Sequence, residues 1–266
     1  MRIALISLSD EGAQVIGRLQ AGLDKADIYL HETVSDAFAG RRFHSVVTLT
    51  TEIFDHYDGL VYVAPCGVVV RSLAKSIRHK ETDPGIVVID VGARFAVSLL
   101  GGHEGGANDL AIMVSNMLGA EPVITTTTEA LKRVIVGVGC RRGVKSEAIT
   151  NAVQEALRQA GIDMKEVRLL SSADIKRNEP GLLEAARLLG IPVRFIPAEE
   201  IRSSGRAFTR SDFVRKKVNL PAVAEPAALL AGRRTRLILP KTTINGVTVA
   251  LAQESFSWWA SVPEAP

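Results

Sequence analysis

Apolar positions along this chain switch repeatedly between two rhythms, short unbroken or alternating runs and a spacing of three and four. Arg2–Leu8 is a nearly unbroken apolar run and predicts a buried strand. Ser9 then stands at an N-cap position, ahead of a helix with Val15, Ile16, Leu19 and Leu23 on one face. Strands are predicted at Ala26–Leu30, Gly59–Ala64 and Gly85–Asp90, the last launched by the turn Asp83-Pro84-Gly85. From Ser98 a strand-like run opens into Gly101-Gly102-His103-Glu104-Gly105-Gly106. Beyond it Leu110, Ala111, Val114, Met117 and Leu118 recur at helical spacing until Gly119 stops the helix. Pro122–Ile124 reads as another strand.

The tract Thr125–Arg133, with four successive threonines, interrupts the alternation, which then restarts. Val134–Val138 predicts a strand, and Ala148, Ile149, Ala152, Val153, Ala156 and Leu157 share one helical face. Further strands are predicted at Val167–Leu170, Val193–Ile196, Arg236–Leu239 and Val247–Ala252, with helices near Gly181–Leu189 and Glu225–Ala231. The expected fold is α/β, with two α/β domains, each a largely parallel or mixed sheet flanked by helices. The expected boundaries are residues 1–127, 128–254 and a tail, 255–266, loosely packed apart from Trp258 and Trp259.

Composition narrows the classes of function. The first apolar run is short and closely followed by Asp10 and Glu11, unlike a signal peptide, and no stretch approaches the roughly 18 apolar residues of a membrane span. Cys66 and Cys140 are the only cysteines, too few for a disulfide framework and lacking zinc-site spacing, so a cytoplasmic protein is expected. Residues 1–133 carry 12 Lys and Arg against 16 Asp and Glu, while residues 134–266 carry 20 against 13. The second half therefore favours an acidic partner. No basic motif interleaved with aromatics appears, which argues for a small polyanion and against nucleic acid.

The densest chemical signal is Ser98–Asn108. Gly101, Gly102, Gly105 and Gly106 permit positive φ and close backbone approach, and a helix start offers amide donors to an anion. His103 stands among them, and an imidazole is suited to general-base work near neutral pH. The plain alternative is a tight strand-to-helix connection carrying a surface histidine. In the second half, Gly137 and Gly139 lie in Gly137-Val-Gly-Cys-Arg-Arg-Gly143, one residue longer than a dinucleotide-binding Gly-x-Gly-x-x-Gly. No convincing strand-end acid follows; Asp163 is nearest and comes after Gly161. Arg141 and Arg142 in this loop offer forks suited to carboxylates, or simply two solvated arginines on a turn. The run Arg215-Lys-Lys217 reads as a solvated face, and Phe43-His44 and His56-Tyr57 as structural.

Several of these segments together carry a resemblance. In the first half they are Ala64-Pro-Cys-Gly-Val-Val-Val-Arg71, Asp83-Pro-Gly-Ile-Val-Val-Ile-Asp90, Gly92-Ala-Arg94-Phe, Leu99–Asn108 and Pro122-Val-Ile-Thr-Thr-Thr127. They resemble the N-terminal module of the cobalt-precorrin-5A hydrolases, the CbiG family of anaerobic cobalamin biosynthesis. Gly137–Gly143, Ala173-Asp-Ile-Lys176 with Glu179, and Val223–Ala231 resemble that family's CobE-like C-terminal module. Two departures stand out. Thr125–Arg133 joins the modules almost directly, where family members usually carry a middle segment, and Glu104 and Val91 replace residue types usual in the family.

The resemblance implies opening of the δ-lactone of cobalt-precorrin-5A and release of acetaldehyde, giving cobalt-precorrin-5B. It implies a tetrapyrrole substrate that brings its own cobalt, so no cofactor and no enzyme-bound metal are expected. His103 is the expected base, with Gly102–Gly106 amides as oxyanion donors and Asn108 positioning the lactone. Arg71, Arg94, Arg141, Arg142 and Lys241, with Thr126 and Glu225, are the expected substrate-binding residues. A non-catalytic corrinoid-handover protein is the alternative reading. A homo-oligomer, or transient contact with other cobalamin-pathway enzymes, is left open.

Overall fold

The computed structural model describes residues 1–23, 25–210, 215 and 217–255. Lys216, Trp258, Trp259 and the rest of the tail from residue 256 lie outside the described residues. The chain divides into two compact units, Met1–Thr127 and Thr128–Pro266.

The first unit is built on a seven-stranded sheet. Its strands are β1 (Ile3–Ser7), β2 (Asp27–His31), β3 (Arg41–Phe43), β4 (Gly59–Val63), β5 (Gly85–Ile89), β6 (Phe95–Leu100) and β7 (Glu121–Val123). They lie in the order β3-β2-β1-β4-β5-β6-β7. All pairings are parallel except β5 with β6. The unbroken apolar runs of β1, β4 and β5 are buried along their whole length, because helices cover both faces of the sheet. On one face α1 (Asp10–Gln20) and α4 (Ala107–Leu118) press Ile16, Leu19, Leu110 and Val114 onto Leu5, Val61 and Val87. On the other, α2 (Val46–Ile53), the 3-10 turn Phe54–His56 that follows it and α3 (Cys66–Leu73) cover Tyr62, Leu60 and Ile86 with Leu49, Phe54 and Leu73. Ser9 caps α1 as its position predicts, its hydroxyl accepting the Gly12 N–H at 3.3 Å.

The second unit has a five-stranded sheet of β8 (Val134–Gly139), β9 (Val167–Ala173), β10 (Val193–Ile196), β11 (Thr235–Ile244) and β12 (Val247–Glu254). The order is β10-β9-β8-β12-β11. The first three strands are parallel, and β12 runs antiparallel to both β8 and β11. The sheet is thus mixed. On one face lie α6 (Ser146–Ala160) and α7 (Pro180–Leu189). On the other lie α8 (Ala198–Ser203) and α9 (Ala224–Leu230), which bury Ile201, Ala227 and Ala228 against Ile135 and Ala252. The Thr125–Arg133 tract is not wholly irregular, since Thr127–Leu131 forms a short helix, α5. Among the described residues no helix is long and apolar enough to cross a membrane.

Gly137, expected to face a ligand, has a packing role instead. A Cβ there would lie 1.9 Å from the Ala224 carbonyl oxygen and 2.9 Å from the Ala228 Cβ. The start of α9 rests directly on the backbone of β8 and leaves Gly137 buried. Gly139 is looser, with Val223 at 3.4 Å. Gly137→Ala is expected to destabilise the second unit by at least ~2 kcal/mol, the scale of overpacking a filled core. Urea unfolding checks this, and an unchanged midpoint contradicts it.

Candidate functional site

The glycine loop leaves the carboxyl end of β6, and α4 then crosses to β7, which is parallel to β6. The loop therefore holds the strand-to-helix position of a βαβ unit, where α/β proteins place ligands. Its shape comes from backbone touching backbone. A Cβ on Gly85 would sit 2.4 Å from the Gly105 carbonyl oxygen, and one on Gly105 would sit 2.9 Å from that of Asp83. One on Gly101, whose φ is +68°, would sit 2.9 Å from the Pro84 carbonyl oxygen. The loop is thus docked onto the Asp83–Gly85 turn. Gly106, at φ +74°, sets the left-handed corner from which α4 starts.

This docking closes amides that were expected to stay open. The Ala107 and Asn108 N–H groups donate to the Gly101 and Gly102 carbonyls, each at 3.0 Å, and the Gly106 N–H donates to the His103 carbonyl at 3.1 Å. The N–H groups of Gly102 and Gly105 carry no hydrogen bond among the described residues. His103 is exposed on the crest of the loop. Beside it, Glu104 is held below the ordinary carboxylate range by its own backbone N–H and, more weakly, by Lys80 at 3.5 Å and by His103.

Asn108 turns inward. It is buried, its Oδ1 accepts from Ser98 Oγ at 2.8 Å, and its Nδ2 donates to Thr126 Oγ1 at 3.0 Å. It therefore braces the loop and does not present an amide to a lactone. Thr126 is the other half of that brace, and its Cγ2 packs so tightly that a Cβ on Gly102 would approach within 2.4 Å. Gly102, His103, Asn108 and Thr126 are brought together as the sequence reading requires.

Arg71 and Arg94 are not. Because β6 runs antiparallel to β5, the edge that holds the glycine loop is the amino end of β5, where Ile86 pairs with Leu100. Arg94 sits in the turn after the carboxyl end of β5, with Nε 2.9 Å from Asp90 Oδ2. Between it and the loop lies the whole of β6, about 20 Å at roughly 3.3 Å per residue. Burial pushes Asp90 up, but the Phe95 and Arg94 amides and the Arg94 guanidinium outweigh it and hold the carboxyl below its ordinary range. Arg71 folds back along α3 over Gly67, where a Cβ would lie 3.6 Å from its Nη1. It thus faces the carboxyl end of β4, beside the switch point between β1 and β4.

In the second unit the parallel strands end at a compact polar cluster. Glu179, 5% exposed, accepts from the Gly143 N–H at 2.7 Å and from Lys176 Nζ at 3.0 Å. Burial pushes its carboxyl up, but the Gly143 amide, Lys176 and Arg142 outweigh that and hold it low. Burial raises the thiol of Cys140, next to the same groups. Arg141 is exposed on this loop, and no carboxylate among the described residues lies within ion-pair distance of it. Lys176 and Glu179 thus hold the turn that displays Arg141 and Arg142. Their three-residue spacing is the signal that marks them in the sequence.

Glu225 and Lys241 take up internal tasks. Glu225 is 1% exposed, and its carboxylate accepts the Thr209 N–H at 2.5 Å and the Lys241 N–H at 2.9 Å. The Lys241 ammonium donates to the Arg210 carbonyl at 3.2 Å. Glu225 is thus turned inward and ties two stretches of backbone together.

A two-module α/β protein emerges, with candidate chemistry at strand ends in each module. The model for the cobalamin synthesis G N-terminal region matches residues 48–129, and that for the cobalamin synthesis G C-terminus matches residues 134–252. The chain belongs to the cobalamin synthesis G family. A cobalt-precorrin-5A hydrolase of Salmonella typhimurium is 25% identical over 292 residues, covering 75% of this chain and 83% of the relative. One from Priestia megaterium is 23% identical over 356 residues, covering 94% of each chain. A Sinorhizobium protein named CobE is 34% identical over 128 residues, 47% of this chain and 83% of that protein. The first two alignments exceed the 266 residues of this chain, so both relatives carry residues with no counterpart here.

The Glu179 cluster makes a pH prediction. A carboxylate held low in the folded chain contributes stability that is fully present above its ordinary value of 4.5 and is lost as pH falls through the folded-state value. The stability difference between the wild type and Glu179→Gln is expected to be constant from neutrality down to about pH 5 and to shrink below that. Urea unfolding at stepped pH measures it. A gap that does not change with pH counts against the assignment.

Proposed function

We propose that this protein is a cobalt-precorrin-5A hydrolase, acting in the cytoplasm, that opens the substrate's δ-lactone and releases acetaldehyde. The observation that carries the reading is that proteins named for this activity align with 75% and 94% of the chain, through both modules. The reaction asks for a base to activate water, donors for the developing oxyanion, and a proton acceptor when the freed alcohol drives carbon–carbon cleavage.

His103 is the proposed base. Support comes from its place at the carboxyl end of a βαβ strand, exposed on a loop whose backbone is locked onto the neighbouring turn. Such a mount holds the imidazole while leaving its face open to a bulky substrate. The amides of Gly102 and Gly105 are the proposed oxyanion donors. Asn108 and Thr126 act as positioning residues, through the hydrogen bond that fixes Gly102. Arg141 and Arg142 are proposed to take substrate carboxylates, for which a guanidinium fork is well shaped. Cobalt arrives with the substrate, and the proposed steps use no resident cofactor. Arg71 and Arg94, at the far edge of the first sheet, are left out of the lactone site.

A second reading, a corrinoid-handover protein without catalysis, is favoured by one observation, the relatives' residues that have no counterpart in this chain. Incubation with cobalt-precorrin-5A and an acetaldehyde assay separates the two. The expected result is acetaldehyde release by the wild type, cut roughly 100-fold or more in His103→Gln with corrinoid binding retained. Tight binding with no acetaldehyde selects handover, and near-normal release by the variant removes His103 from the role.

A further inference from the structure

The second unit contains a cavity of about 390 Å³ that none of the residues at the end of β8 lines. Arg202, Arg206, Arg210 and Arg215 line it, together with Phe208 and Leu220, and no Asp or Glu does so among the described residues. Four guanidinium groups around one concavity make a strongly positive potential.

The walls are organised. Arg206 is pinned by two hydrogen bonds, from Nη1 to the Thr235 carbonyl at 3.1 Å and from Nη2 to Thr235 Oγ1 at 3.3 Å. The next residues of the same segment are held by their backbone, Thr209 by the buried Glu225 and Arg210 by Lys241. Among the described residues Arg202 pairs with Glu199, a carboxylate that is 78% exposed, a pairing of little strength. Arg210 has no carboxylate within ion-pair distance among the described residues. Phe208 and Pro221 are half-buried on the cavity wall, so the wall offers apolar contact beside the guanidinium groups.

We infer that this cavity is a carboxylate subsite, taking the acidic side chains of a tetrapyrrole and the ring edge that bears them. The inference rests on the tetrapyrrole reading proposed above and gives it a second anchoring point. A free phosphate would use the charge but not the apolar wall, whereas a macrocycle edge flanked by carboxylates uses both. The volume lies near the lower end of the range of about 300–1,000 Å³ for ligand pockets, which suits part of a macrocycle better than all of it.

The test titrates the whole chain with uroporphyrin, a tetrapyrrole polycarboxylate, followed by its fluorescence. The expected result is binding that Arg202→Ala with Arg210→Ala weakens roughly 10-fold, the scale of losing two exposed ion pairs, with the unfolding midpoint unchanged. Arg210→Lys should recover part of the loss. The subsite is overturned if the wild type does not bind uroporphyrin, if the double variant binds as the wild type does, or if equimolar inorganic phosphate displaces the porphyrin. An acetaldehyde assay run in parallel keeps the two readings apart. Arginine-dependent binding without acetaldehyde upholds the subsite and sinks the hydrolase reading. Acetaldehyde release with KM and porphyrin Kd unchanged in the double variant sinks the subsite alone.

Discussion

Backbone lies against backbone at three junctions of this protein, and each leaves no room for a β-carbon. In the first unit Gly85 meets the Gly105 carbonyl oxygen, with 2.4 Å available to an added Cβ. In the second, Gly137 meets that of Ala224 and Gly181 that of Val144, with 1.9 Å available in each case. At each junction a helix start or strand-end loop is clamped to a neighbouring element closer than any side chain permits. These clamps set where α4, α9 and α7 begin, and with them the positions of His103, Glu225 and Glu179. Glycine here shapes the sites by letting backbone pack on backbone.

This explains why the elements were easier to read from the sequence than the sites. The buried strands and amphipathic helices announce themselves because burial on both faces or on one stripe dictates periodicity. The strand Arg41–Phe43 did not, since its three residues at the sheet edge include two exposed arginines. The helix Val46–Ile53 hides in a β-branched run whose helical state is imposed by packing, a tertiary override of weak propensity. At the sites, glycines and polar residues look alike whether they serve a ligand or the fold. His103, Asn108 and Thr126 are neighbours in space as well as in the reading, because the strand-to-helix turn is local. Arg94, read as a residue for substrate carboxylates, stands at the opposite edge of the sheet from that loop, since β6 runs antiparallel to β5 and nothing in the sequence tells this.

The excess of positive charge in the second half has a structural address. Several of its arginines are tied up in exposed pairs along single helices, such as Arg158 with Glu155 and Arg187 with Glu184. Others, Arg141 at the end of β8 and Arg210 on the segment that follows α8, have no carboxylate within ion-pair distance among the described residues. Net charge alone suggested an acidic partner. The division between paired arginines and those without a described partner marks where on the second unit the positive charge stays open.

Glu225 joins Thr209 and Lys241 through their amides, linking two segments that are far apart in the chain, one of which carries Arg206 and Arg210 of the arginine cavity. It works as an internal rivet, and a rivet has an awkward signature in mutagenesis. Removing it would loosen the segment that carries Arg206 and Arg210 while leaving every guanidinium in place, so affinity for an anion would fall although no contact with the anion was deleted. A survey of single substitutions scored by activity would then rank this buried acid beside the residues that touch ligand, and only its 1% exposure tells the two apart.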